Sequence, residues 1–130
     1  MKSIKLLWCA LALGFGLNTV SAIAQGKDIH STEPKYGGIV SESNHMEFEL
    51  VVKAEGTSLY AMDHGQPVDF SKASGKVILL NDGQKKEIVL TGNSTVLQGE
   101  GVELKTPAYT ALATVEFANK KKTTVRFKTK

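Results

Sequence analysis

The chain has 130 residues, one cysteine and a formal charge of +3, with a sequence pI near 9.0. That length holds a single domain, and 42% apolar with 22% charged residues is ordinary for a packed one. A multidomain enzyme, a disulfide scaffold and a four-cysteine zinc cluster are excluded.

Residues 1–24 read as a signal peptide. Lys2 and Lys5 form the positive start, residues 6–17 the apolar stretch, and Ala22-Ile-Ala24 a small-residue cleavage site before Gln25. About a dozen apolar residues fall short of the roughly 20 that a membrane span needs. Asn18, Thr19 and Ser21 close the stretch, so the mature chain is expected to carry no transmembrane segment. Delivery to the periplasm follows. Cys9 comes after Trp8, near the start of the apolar stretch rather than beyond it, and it leaves with the signal. An exported chain without disulfides depends on its own packed core.

Residues 25–34 are polar and end at Pro34, a flexible lead-in. The domain then occupies 35–130 and is all-β. Its apolar runs are short and alternating, with turn residues between them. In Met46-Glu-Phe-Glu-Leu-Val-Val-Lys53 the residues Met46, Phe48, Leu50 and Val52 face one way, and Glu47 and Glu49 face the other. A second run covers 57–62 after a turn at Glu55-Gly56. Runs at 76–80 and 87–91 flank Asp82-Gly83, a strong hairpin signal. Shorter runs stand at 96–97 and 102–104. Residues 113–117 and 123–129 alternate and make a terminal hairpin. About seven such strands fit an all-β sandwich or a small barrel, and an immunoglobulin-like β-sandwich, two sheets closing over one core, is the favoured reading.

Catalytic motifs are missing: there is no Gly-Lys-Ser/Thr phosphate loop and no Gly-x-Ser-x-Gly elbow. A non-enzymatic role is expected. The histidines offer a different chemistry. His45 opens the first long strand and His64 ends the second. Pairing of these strands brings His45, Met46 and Glu47 near Met62, Asp63 and His64 at one edge. Imidazole and thioether suit copper, while imidazole with carboxylate suits zinc and similar divalent ions. The same residues also read as solvated turn residues and core filler.

Charge is unevenly placed. From residue 25 to 119, 8 lysines face 13 acidic residues, a net of −5, whereas residues 120–130 carry five lysines and Arg126, a net of +6. On the last strand Lys122, Thr124, Arg126 and Lys128 share a face. That is a protected edge strand, or a dock for an acidic partner or for membrane headgroups. An exported chain with almost no aromatic–basic interleaving is not expected to bind nucleic acid.

Tyr36-Gly-Gly-Ile-Val40, Met46-Glu-Phe-Glu-Leu-Val51, Leu59-Tyr-Ala-Met-Asp63, His64-Gly65, Pro67-Val-Asp69 and Ser74-Gly-Lys-Val77 follow one pattern. It resembles the small periplasmic β domain associated with heavy-metal efflux systems of the resistance-nodulation-division type. That domain is found within adaptor subunits and as stand-alone exported proteins. The family commonly places a histidine before the Gly-Gly pair, whereas this chain has Tyr36, a poor ligand when neutral. The resemblance implies an accessory in metal resistance that binds copper or a zinc-like divalent ion reversibly, with an efflux adaptor or another envelope protein as partner. The rival reading is an envelope interaction module with no metal site.

Overall fold

The computed structural model describes residues 33–130, and these are all-β. The expected signal peptide (1–24), Cys9, and the lead-in as far as residue 32 lie outside the described residues. Nine strands follow in order: β1 (Ile39–Ser43), β2 (Met46–Lys53), β3 (Gly56–Asp63), β4 (Gln66–Pro67), β5 (Ser74–Asn81), β6 (Gln84–Asn93), β7 (Val96–Gly99), β8 (Thr110–Glu116) and β9 (Lys122–Lys128).

The sandwich expectation holds only as far as its all-β class. The strands form one antiparallel sheet, ordered β1-β2-β3-β7-β6-β5-β8-β9 with β4 attached to β3. This sheet curls until its two ends meet. The Ser43 hydroxyl donates to the Thr124 carbonyl at 2.8 Å, and the Asn44 amide donates to Thr123 Oγ1 at 3.0 Å. No ladder joins β1 to β9 along the strand path, so the barrel is nearly closed and carries a seam. Alternation requires each strand to bury one face. It does not dictate whether those faces meet across two sheets or around one.

Alternation sets the core. Phe48 and Leu50 on β2, Leu59 and Ala61 on β3, Val77 and Leu79 on β5, Ile88 and Leu90 on β6, and Val125 and Phe127 on β9 all point inward and are buried. Asp82-Gly83 makes the expected hairpin, with both residues at positive φ, 53° and 73°, the backbone of a type I′ turn. The β2–β3 turn falls one residue earlier than expected, because Gly56 already pairs with Lys53.

Irregular segments plug both ends. At one end residues 68–73 carry the fully buried Phe70 into the barrel. The Phe70 N–H donates to the Ser94 carbonyl at 2.7 Å, and Val68 N–H donates to the Ala61 carbonyl at 3.0 Å. Phe70 stacks on Phe117, with ring centroids 6.2 Å apart. Asp69 accepts the Ser71 N–H at 2.9 Å. That hydrogen bond, with a second from the Ser71 side chain, holds its carboxyl below the usual aspartate range. Gly92 makes this crossing possible, since a Cβ there would stand 1.8 Å from the Phe70 carbonyl oxygen.

At the other end the run at 102–104, expected as a strand, is a loop. Its apolar side chains serve as a plug, with Val102 buried and Leu104 packed on the core. Asn81, itself buried, organises that loop. Its amide donates to the carbonyls of Thr106 (3.0 Å) and Ala108 (2.8 Å), and its Oδ1 accepts the Lys105 N–H at 2.8 Å. A buried amide satisfied on both sides stabilises the loop rather than penalising it.

Gly92→Ala forces the crossing segment away from β6, and denaturant unfolding should show a loss of about 2 kcal/mol or more. Burial pushes the Tyr109 phenol above the usual tyrosine range. The unfolded chain therefore releases this proton first, and stability falls as pH rises above about 10. Thermal melts across alkaline pH should show a shallower decline in Tyr109→Phe than in the parent chain.

Candidate functional site

The hairpin predicted from the sequence forms. Met46 pairs with Asp63, and Glu47 with Met62. One step beyond the Met46–Asp63 pair, the β1–β2 turn is Asn44-His45 and the β3–β4 turn is His64-Gly65. The two histidines thus stand on neighbouring turns at one end of the barrel, both exposed.

Both occupy left-handed backbone positions, His45 at φ 64° and His64 at φ 50°. A two-residue hairpin turn requires positive φ at its central residues, and Asn, Asp and Gly adopt it at least cost. His45 follows Asn44 (φ 51°) at the second turn position, where glycine is the usual choice.

Asp63 Oδ1 lies 2.6 Å from His64 Nδ1, and both side chains are more than half exposed. With Nδ1–H donating to the carboxylate, the ring orientation is fixed and the Nε2 lone pair is left toward solvent. Carboxylates orient ligating histidines in this way.

The pleat divides the remaining candidates. Met46 turns inward and packs against the core. Glu47 and Met62 sit opposite one another on the outer face and line a small cavity of about 20 Å³. Successive side chains on a strand point to opposite faces, so Met46 does not share a ligand shell with Glu47 and Met62. Among the described residues, no three His, Cys, Asp or Glu side chains are grouped to hold a metal ion. The structure therefore brings His45, Asp63 and His64 to one end, and places Glu47 with Met62 beside it on the barrel wall. His30, the third histidine of the chain, lies outside the described residues.

Glu49, expected on a polar outer face, is only 7% exposed. Its carboxylate accepts three backbone N–H groups, from Lys35 (2.6 Å), Tyr36 (2.7 Å) and Gly38 (3.0 Å). Residues 35–38 are thereby strapped across the outside of β2. The Tyr36 ring stacks on Tyr60, with centroids 3.7 Å apart and planes at 11°. Gly38 approaches the sheet so closely that an added Cβ would meet the Leu50 carbonyl oxygen at 2.2 Å. The Tyr-Gly-Gly motif thus serves the strap, and at position 36 the side chain packs on a ring. The one hint in the sequence is that Glu49 interrupts the apolar stretch from Phe48 to Val52.

Glu49→Gln keeps the size but replaces one acceptor oxygen with an N–H₂ group facing N–H donors. The expected loss is about 1–3 kcal/mol. Hydrogen exchange should accelerate at the amides of Tyr36 and Gly38 while those of β5 and β8 stay protected.

No family model, no curated protein and no solved structure matches the chain, so the site is interpreted from its geometry.

Proposed function

We propose that the chain is an exported, non-enzymatic accessory of heavy-metal handling that captures copper or a zinc-like divalent ion reversibly at the histidine end of the barrel. The observation that supports this reading is the placement of His45 and His64 on neighbouring turns, with His64 oriented by Asp63. His45 and the Nε2 of His64 are the proposed ligands, and solvent or a partner's side chain completes the shell. An exposed shell of two imidazoles exchanges its ion readily, which suits transfer better than storage. Export rests on the N-terminal pattern of Lys2, Lys5 and Ala22-Ile-Ala24. The setting of efflux by resistance-nodulation-division systems rests on the resemblance described above.

Calorimetric titration of the protein with copper and zinc tests the reading. Binding is expected in the micromolar range, with loss of at least about tenfold in His45→Ala and in His64→Ala. Absence of binding would leave an interaction module without a metal site, and binding unchanged in the double variant would remove the histidine end from the reading.

The backbone supplies a second readout. His45→Gly relieves a left-handed side-chain residue and should raise stability by about 1 kcal/mol while weakening metal capture. A variant that is stabilised and still binds as before would remove His45 from the ligand set.

A further inference from the structure

Leu80, Val89 and Leu112 are 50%, 68% and 40% exposed, and they are three of the four large hydrophobic residues left in the open among the described ones. All three lie on one stretch of barrel wall. On β5, Leu80 and Ile78 are two residues apart and share the outer face. Across the ladder, Ile78 faces Leu112 on β8. Val89 stands on the outer face of β6 opposite Lys76. Leu80, Ile78 and Leu112 therefore make a contiguous aliphatic patch, continued diagonally by Val89.

A cationic border runs beside it. Arg126 pairs with Leu112 in the β8–β9 register, and Lys128 pairs with Thr110. On the other flank Lys85 pairs with Leu80. The alternation of β9 is strict, with Val125 and Phe127 in the core and Lys122, Thr124, Arg126 and Lys128 exposed. Two acids interrupt the border, and each meets a lysine: Glu87 with Lys76 at 3.8 Å and Glu116 with Lys120 at 4.0 Å.

We propose that the outer face of β5, β8 and β9 docks an acidic amphipathic segment of a partner protein. Its apolar side chains cover Leu80, Ile78 and Leu112, and its carboxylates reach Arg126 and Lys128. An apolar centre with a charged border is the anatomy of a protein–protein contact, and the sign of the border selects an acidic partner. A bilayer fits this face less well. The aliphatic groups lie along a sheet wall rather than on a projecting loop or helix that could enter the acyl boundary, and Glu87 and Glu116 oppose lipid phosphates. The proposal does not rest on the metal reading, since none of these residues is a proposed ligand.

The test is an NMR titration of the ¹⁵N-labelled full chain with two synthetic helical peptides. Both carry leucine at i, i+3, i+4 and i+7; one is flanked by glutamate and the other by lysine. The glutamate peptide should shift amides of β5, β8 and β9, and its binding should weaken as salt rises from about 50 to 500 mM. The Arg126→Glu/Lys128→Glu variant should lose about tenfold in affinity with an unchanged melting temperature. Leu112→Ser should weaken binding without altering the salt dependence. Any flotation with phosphatidylglycerol vesicles, to which residues 1–24 of the full chain can bind through Lys2, Lys5 and the apolar stretch, should be the same in the double variant as in the parent chain. Equal binding of the lysine peptide, shifts confined to other strands, or no shift at millimolar glutamate peptide would each overturn the proposal. Flotation that is lost in the double variant would assign the face to lipid and overturn it as well.

Discussion

Everything in this barrel follows from one constraint: a single sheet has one apolar face and nothing else to bury it against. No helix is present among the described residues to cover that face. The sheet therefore closes upon itself, and every strand contributes its inward residues to a common core. Large side chains such as Phe48, Leu59, Ile88 and Phe127 fill it with no exposure at all. A curled sheet still leaves two open ends, which explains why its longest irregular segments are not free loops. Phe70 stops one end, and residues around Val102 stop the other while Asn81 satisfies the backbone polar groups of that loop.

The sequence was most legible where strands alternate strictly. Residues 57–62 and 123–128 bury alternate side chains as the period of two requires, and Asp82-Gly83 turns where such a pair is expected to turn. Legibility ended where side chains act out of pattern. β1 carries only Ile39 and Val40 as apolar residues ahead of Ser-Glu-Ser, too few to stand out by alternation. Val102 and Leu104 resemble a strand because a plug also needs apolar groups spaced by two. Glu49 is polar and yet buried, since its partners are backbone N–H groups on a segment 11 to 14 residues away. Closure into one barrel depends on contacts between the two ends of the domain, and no local pattern encodes those.

The candidate site divides along the same line. Pairing of the two hairpin strands was readable, and with it the neighbourhood of His45 and His64. Ligand geometry was not, because the pleat sends Met46 to the core and Met62 to the outer wall. The positive φ of both histidines and the Asp63–His64 hydrogen bond are three-dimensional facts. They turn a list of ligand-type residues into two imidazoles on adjacent turns. Charge shows the same refinement. A basic overall composition becomes a basic border on one part of the wall, beside the aliphatic residues it encloses.

The seam gives the barrel a preferred way to breathe. Parting β1 from β9 breaks the two side-chain hydrogen bonds made by Ser43 and Asn44 and no ladder. Parting any other neighbours along the strand path breaks a row of backbone bonds. In hydrogen bonds, then, the least costly excursion of this fold hinges β1 away from β9, with Ser43 and Asn44 restraining it. His45 is bonded directly to Asn44, so the excursion carries one imidazole while the other stays anchored on the β3–β4 turn. The spacing between the two histidines is thereby tied to the width of the seam.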